Sequence, residues 1–232
     1  NDNVAVIIIS GNAVAMPWVN DVNAIVEAWY SGSQAGHAIA DVIFGKVNPS
    51  GKLPFTFPVK LEDNPAHYNG KTFPTRGKNH YDEGIFLGYR WHEKMDIKPL
   101  FAFGHGLSYT SYEYSNMTVS ATEFESGDVI TVSVDVKNTG AVEGKESVLL
   151  FTSDLYASSI PDVRRLRAFD KVTLAPGETK TVEFELAATD LAFVDYYGRW
   201  NLEEGDFIIS CGSETYEISC TETILWETPN ID

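Results

Sequence analysis

Apolar positions along this chain follow two different spacings, and the change comes near its middle. Residues 4–9 form a continuous, β-branched apolar run, the pattern of a parallel strand covered on both faces. Gly11 and Pro17 mark a turn. From Trp18 the apolar residues Val19, Val22, Ile25, Val26 and Trp29 have the spacing of an amphipathic helix, ended by Ser31-Gly32-Ser33. A second helix is predicted with Ala35, Ile39, Val42 and Ile43 on one face and Gly45 closing it. Asn48-Pro49-Ser50-Gly51 is turn chemistry. The prolines within residues 53–58 confine that extended piece to an edge or a covering strand. Residues 62–80 are polar and broken by Pro65, Gly70, Pro74 and Gly77, which predicts a long ordered loop.

Beyond about Tyr112 the period becomes two. Residues 129–136, 147–151, 180–186, 207–211 and 216–220 alternate apolar with polar, and turn signals separate them: Asn138-Thr139-Gly140, Ala175-Pro176-Gly177-Glu178, Glu203-Glu204-Gly205-Asp206. Short strands at such spacing predict a β-sandwich of about a hundred residues. Charges at alternate positions, such as Asp135 and Lys137 or Glu183 and Glu185, keep one face wet. Cys211 and Cys220 fall in one hairpin whose turn lies near residues 212–215, so they are not opposite each other. They are expected to be buried free thiols rather than a disulfide.

The seam between the two patterns is residues 81–110, where Gly84, Gly88, Gly104 and Gly106 punctuate a run of aromatics. It opens on Tyr81-Asp82-Glu83-Gly84, continues through Gly88-Tyr89-Arg90 and closes on the run from Phe103 to Thr110. This order resembles the junction in glycoside hydrolase family 3, the β-glucosidase-type exo-acting hydrolases. Earlier motifs carry the same likeness: Pro17-Trp18, Trp29-Tyr30-Ser31-Gly32, Gly36 to Asp41, and Asn48 to Pro54. Between Gly32 and Gly36 this chain has Ser33-Gln34-Ala35, where the family often has an acidic residue before a glycine pair. The later motifs Asn138-Thr139-Gly140, Leu174 to Glu178 and Leu202 to Asp206 resemble the fibronectin type III-like domain that ends many of these enzymes. The expected fold is therefore α/β plus all-β. Residues 1–113 would be the end of the family's α/β-sandwich domain with its junction loop, and residues 114–232 a fibronectin type III-like β-sandwich.

Charge narrows the partners. Seventeen basic and thirty-three acidic residues leave a net charge of −16, which repels phosphate backbones and anionic lipid but not a neutral sugar. No apolar run approaches the ~20 residues that span a bilayer. Neither nucleic acid nor membrane is expected as a partner. The first residues lack the basic-then-apolar pattern of a secretory leader.

The resemblance implies a retaining mechanism in which two carboxyl groups flank the glycosidic bond. It places the nucleophilic aspartate in an N-terminal barrel of ~250 residues and the acid/base glutamate upstream of the strand at residue 4. Neither carries over to a position of this sequence, so no catalytic residue is assigned within it. Asp82 and Glu83 are adjacent and point to opposite faces of an extended chain, a poor bracket for a bond. Asp2, Asp21, Glu27 and Asp41 are expected on helix surfaces or ends. His37, His67, His80, His92 and His105 show no metal spacing, and Gly104-His105-Gly106 lacks the lysine and strand–helix context of a phosphate loop. No cofactor is implied. Asn116-Met117-Thr118 fits a glycosylation triplet in a eukaryotic secretory host.

If the polar loop lines a cleft, Asn79, His80 and Tyr81 are the residues to bind substrate, since amide, imidazole and phenol pair well with sugar hydroxyls. The partners implied are a β-linked oligosaccharide or β-glucoside, and a chain or segment carrying the catalytic barrel and the rest of the α/β sandwich. A lone parallel strand at residues 4–9, without a pairing partner, calls for such a completing polypeptide. The rival reading is a non-catalytic carbohydrate- or protein-binding or scaffold module. For that role Tyr196, Tyr197 and Trp200 are the aromatic candidates, although the resemblance places them in the sandwich core or a domain interface.

Overall fold

The computed structural model describes residues 1–70, 73 and 77–227. They fall into two compact units, divided between Leu107 and Ser108. Pro74, one of the expected breakers of the polar loop, lies outside the described residues.

The first unit opens with β1 (Ala5–Ile8) and β2 (Ala24–Glu27), paired in parallel from Ala5 opposite Ala24 to Ile8 opposite Glu27. This corrects two expectations. The helix predicted from Trp18 is a single 3-10 turn at Val19–Asp21, after which Val22 is extended and the chain enters β2. The strand of residues 4–9 consequently has a partner. Asn23 fixes the register: its N–H donates to Val4 O (2.9 Å) and its side-chain oxygen accepts from Val4 N (3.0 Å). The run Ala24-Ile25-Val26 is too short for its period to separate helix from strand.

α1 (Ala35–Ile43) follows, and Gly45 turns the chain away at φ +71°. Ala35, Ile39 and Val42 are half-buried on its apolar face while Ile43 is exposed. Residues 51–57 then run beside residues 100–106. Phe57 N donates to Phe101 O (2.8 Å), Leu53 N to His105 O (2.8 Å) and Gly104 N to Leu53 O (2.8 Å). At Gly106 the two backbones are so close that a Cβ would lie 2.3 Å from Gly51 O, so only glycine fits. Phe57 is buried between Phe101 and Trp29. The short helix α2 (Tyr89–Lys94) buries Trp91, whose indole N–H donates to Asp63 O (2.9 Å).

The second unit contains the strands β3 (Tyr112–Val119), β4 (Glu123–Phe124), β5 (Val129–Asn138), β6 (Gly144–Asp154), β7 (Arg165–Leu174), β8 (Thr179–Ala187), β9 (Phe193–Val194), β10 (Arg199–Leu202), β11 (Gly205–Cys211), β12 (Glu214–Cys220) and β13 (Ile224–Glu227). One sheet has the order β3-β5-β8, a second β4-β12-β11-β6-β7, and a third β13-β10-β9. The predicted alternation places Ile130, Val132, Val134 and Val136 of β5 in a core with Val182, Phe184 and Leu186 of β8. Val148 and Leu150 of β6, Phe207 and Ile209 of β11 and Ile218 of β12 join the same core.

Two strands had no clean period in the sequence. In β3, Tyr112 and Tyr114 lean on the core, but so do Met117 and Val119, on the opposite parity. The reason is a β-bulge between Ser115 and Thr118, where Asn116 takes φ +54° and shifts the strand by one residue. β7 lies at a sheet edge, with Arg165, Asp170 and Lys171 along it, and edge strands carry charge that deters further pairing.

Turn residues are tied to the core. Asn138 is fully buried and donates to Val142 O (2.8 Å) and Leu174 O (3.0 Å) while accepting from Gly140 N (3.0 Å) and the Thr110 hydroxyl (2.5 Å). The Asn-Thr-Gly signal is therefore a four-bond clamp as well as a turn. In the hairpin of β11 and β12, Cys211 sits opposite Glu214 and Cys220 opposite Gly205. Both thiols are free and buried, and burial pushes the Cys211 thiol up to about 12. At the hairpin's Gly212 (φ +58°) a Cβ would stand 2.5 Å from the Tyr114 ring.

Trp200 packs on the core and stacks with Trp226 (6.3 Å, 14°). Tyr196 and Tyr197 do not join it: they stand 96% and 78% exposed at the turn between β9 and β10. Of the two places expected for these aromatics, sandwich core or domain interface, the core is taken by Trp200 and not by the two tyrosines, because the hairpin points its turn away from the sheet that carries it.

Candidate functional site

In parallel α/β sheets, ligands gather in the crevice beyond the carboxyl ends of the strands. Here β1 leads to Ser10-Gly11 and β2 to Trp29-Tyr30. Ser10 Oγ lies 2.8 Å from Asn12 O and 3.3 Å from Glu27 Oε2, and Glu27 Oε1 accepts the Trp29 N–H (2.9 Å). Trp29 takes φ +48°, a left-handed conformation costly for a bulky residue, and holds its indole against Phe55 (5.6 Å) and Phe57 (6.1 Å). The Tyr30 ring covers Gly11 so closely that a Cβ there would lie 2.8 Å from it.

Glu27 is thus a strand-end residue, not part of a helix surface as the sequence spacing suggested. Both its oxygens are engaged by its own loops, so its work is to hold a strained turn. Asp41 alone of the four expected helical carboxylates lies in an α-helix, 3.0 Å from Lys46 Nζ. Asp2 precedes β1 and Asp21 is in the 3-10 turn. The strand-end knot of Ser10, Glu27 and Trp29 was hidden by the helix-like spacing. The available signal was Asn23 ahead of a short β-branched run.

Asn79, His80 and Tyr81 lie together on an exposed stretch without regular structure, and Tyr81 O accepts from Gly84 N (3.3 Å). The following Asp82 is exposed and Glu83 half-buried. His105, in the first unit, is held below the ordinary imidazole range by burial and by the charge of Lys52. Among the described residues no group of three or more His, Cys, Asp or Glu is placed to hold a metal ion.

The second unit carries one carboxyl with an acid-like value. Burial pushes Asp154 up to about 6, with the Glu203 charge adding to it and the Tyr156 N–H and Arg167 opposing. It lines a cleft of ≈ 40 Å³ with Thr152, Asp162, Arg165, Arg167 and Phe193. That is far below the ~300 Å³ of a small-ligand pocket, so a pyranose does not fit. Asp154 Oδ1 accepts from Tyr156 N (3.2 Å), and Glu203 accepts from Ser158 N (2.7 Å), the Ser158 hydroxyl and Asn201 Nδ2 (2.5 Å). These carboxylates tie down the loop after β6. A broader groove of ≈ 680 Å³ beside Glu203, Glu204, Asp206 and Thr223 is open to solvent. Nothing in the sequence pattern signalled Asp154, because its cleft forms only where the loop after β6 and the start of β7 meet residues 191–193.

Comparison with known proteins gives two domain matches. Residues 1–89 match the glycosyl hydrolase family 3 C-terminal domain, and residues 146–215 the fibronectin type III-like domain. The beta-glucosidase BoGH3A of Bacteroides ovatus is 45% identical over 226 residues, covering 96% of this chain and 30% of that protein. The thermostable beta-glucosidase B of Acetivibrio thermocellus is 43% identical over 224 residues, covering 96% and 29%. Among solved structures, a beta-glucosidase from Kluyveromyces marxianus superposes with a TM-score of 0.87 at 40% identity, over 97% of this chain and 27% of that one. Beta-glucosidase 3B of Thermotoga neapolitana, solved in complex with glucose, gives 0.88 at 32% identity, over 97% and 32%. The chain thus spans about 30% of the length of the relatives it matches.

Proposed function

The chain belongs to glycoside hydrolase family 3, with the family's C-terminal domain followed by its fibronectin type III-like domain, and from that premise we propose that it works as part of a retaining, exo-acting β-glucosidase-type enzyme. The reaction is hydrolysis of terminal, non-reducing β-D-glycosyl residues. The nucleophile and the acid/base come from polypeptide outside these 232 residues.

The observation that supports this reading is the open state of the first unit. Its parallel sheet has two strands, so β1 and β2 each present an unpaired outer edge among the described residues. Ile9 is 61% and Phe44 85% exposed, and α1 buries none of its residues. Parallel sheets are stable with both faces covered, and bare edges and apolar faces are what a further strand and helix layer would cover. The share of the relatives' length that this chain matches leaves room for a catalytic barrel and that layer. Within such an enzyme the exposed Asn79, His80 and Tyr81 form the rim of the substrate cleft and donate or accept hydrogen bonds at sugar hydroxyls. The strand-end knot of Ser10, Glu27 and Trp29 holds the turns after β1 and β2.

The test uses the complete gene product that contains these residues. It is expected to hydrolyse an aryl β-glucoside and to release β-glucose before mutarotation, followed by proton NMR. Tyr81→Phe and Asn79→Ala are expected to lower kcat/KM by about tenfold, in keeping with the loss of one sugar hydrogen bond. Release of the α-anomer first, or an inert product, would overturn the reading.

A further inference from the structure

We propose that the turn between β9 and β10 is a binding platform for a neutral β-linked glucan, an inference that rests on the hydrolase reading for the choice of sugar. Its residues are Asp195, Tyr196, Tyr197 and Arg199, with Gly198 at φ +81° allowing the turn. Asp195 braces the loop completely. Its N–H donates to Arg199 O (2.8 Å) and its carbonyl accepts from Gly198 N (3.1 Å). One carboxylate oxygen accepts from Tyr197 N (2.8 Å) and Arg199 N (2.9 Å), the other from the Arg199 guanidinium at Nε (3.0 Å) and Nη2 (2.8 Å). Behind the turn, the stacked Trp200 and Trp226 anchor the hairpin.

On this rigid mount stand two tyrosines, 96% and 78% exposed and edge-to-face at 5.6 Å. Tyr197 gives the turn only its backbone N–H, and Asp195 and Gly198 supply the rest of its geometry. The Arg199 guanidinium lies over the Tyr197 ring at 5.1 Å, fixing that ring further. Rigid aromatic rings offer apolar area with little entropy left to lose, and their hydroxyls stay available for hydrogen bonds. A pyranose has the matching form: axial C–H groups on its faces and hydroxyls around its rim.

Charge selects among ligands. The guanidinium is neutralised by Asp195, so the platform is locally uncharged within a chain of net charge −16. An anionic polymer or lipid surface is repelled, and a neutral glucan is not. Holding polymer at such a site would raise the local concentration of chain ends for the hydrolytic cleft.

The experiment is co-sedimentation of the complete gene product with amorphous cellulose and with insoluble β-1,3-glucan, beside thermal unfolding. Wild type is expected to sediment with at least one polymer, and the Tyr196→Ala/Tyr197→Ala double variant to bind at least tenfold more weakly at an unchanged Tm. The Tyr197→Trp variant is expected to keep the binding. Three results would overturn the platform: no sedimentation of wild type with either polymer, undiminished binding by the double variant, or a fall of several degrees in its Tm. The last would mean that the tyrosines pack against the rest of the enzyme. Tyrosine-dependent sedimentation by a wild type that hydrolyses no aryl β-glucoside would sustain the platform while refuting the hydrolase.

Discussion

In the second unit β5 and β8 direct Ile130, Val132, Val134, Phe184 and Leu186 into a core almost closed to water, whereas in the first unit Ile7 of β1 and Ile9 just beyond it are exposed. Both stretches are rich in β-branched residues, so composition does not separate them. Layers do. The alternating strands of the second unit bury one face against another sheet of the same chain, which completes a core. Among the described residues of the first unit, the buried hydrophobic side chains are Met16, Phe57 and Trp91; Phe57 lies at the crossing of residues 51–57 with 100–106, Trp91 is on α2, and no residue of β1 or β2 is among them. The comparison teaches that an apolar run predicts burial only where its covering layer is present.

The sharpest test is to separate the two units. Residues 108–232 are expected to unfold as one cooperative transition in calorimetry, and residues 1–107 to show none. A sharp transition in residues 1–107 would break the comparison outright.

Removing the clamp in the closed unit comes next. Asn138→Ala deletes four hydrogen bonds at a fully buried site and is expected to cost about 3 kcal/mol in urea unfolding.

Glycines sharpen the contrast further. Gly212→Ala combines φ +58° with a Cβ 2.5 Å from Tyr114, and is expected to cost about 2 kcal/mol. Gly84→Ala, at φ +59° with open space around it, is expected to cost about 1 kcal/mol from backbone strain alone. Equal losses at the two sites would show that the packing of Tyr114 against the hairpin contributes nothing.

The smallest effect has the opposite sign. Asp154 titrates at about 6 in the fold, above the roughly 3.9 of an unfolded aspartate. The folded chain therefore holds the extra proton between those values. Stability falls as pH rises across that window, and the penalty is complete above it and absent below. Asp154→Asn keeps the acceptor for Tyr156 N and is expected to raise stability by about 1 kcal/mol at pH 7.5, after allowance for solvent screening at a half-exposed site, with no gain near pH 4. Equal melting shifts at both pH values would refute the assignment.

Much of the architecture was legible from spacing. β5, β8 and the β11–β12 hairpin stand where period-two alternation placed them, and α1 ends at Gly45 as its C-terminal signal required. Free, buried Cys211 and Cys220 follow from their offset in the hairpin. The misread element was β2, because Val19, Val22, Ile25 and Val26 satisfy a helical spacing that pairing with β1 overrides. β3 was obscured by one residue: the bulge at Asn116 reverses which parity faces the core. Of the site, the exposed position of Asn79, His80 and Tyr81 fits a polar loop, while the knot of Ser10, Glu27 and Trp29 depended on β2 and was invisible with it.

Local chemistry along the chain determined the two patterns, the turns and the family likeness, because periodicity, glycine and proline act within a few residues. Tertiary structure alone decided that residues 24–27 join a sheet, that Trp200 packs half-buried on the core while its neighbours Tyr196 and Tyr197 stand exposed, and that Asp154 holds its proton to about 6. Each of these outcomes depends on which distant surface excludes water, and no local window of sequence contains that surface.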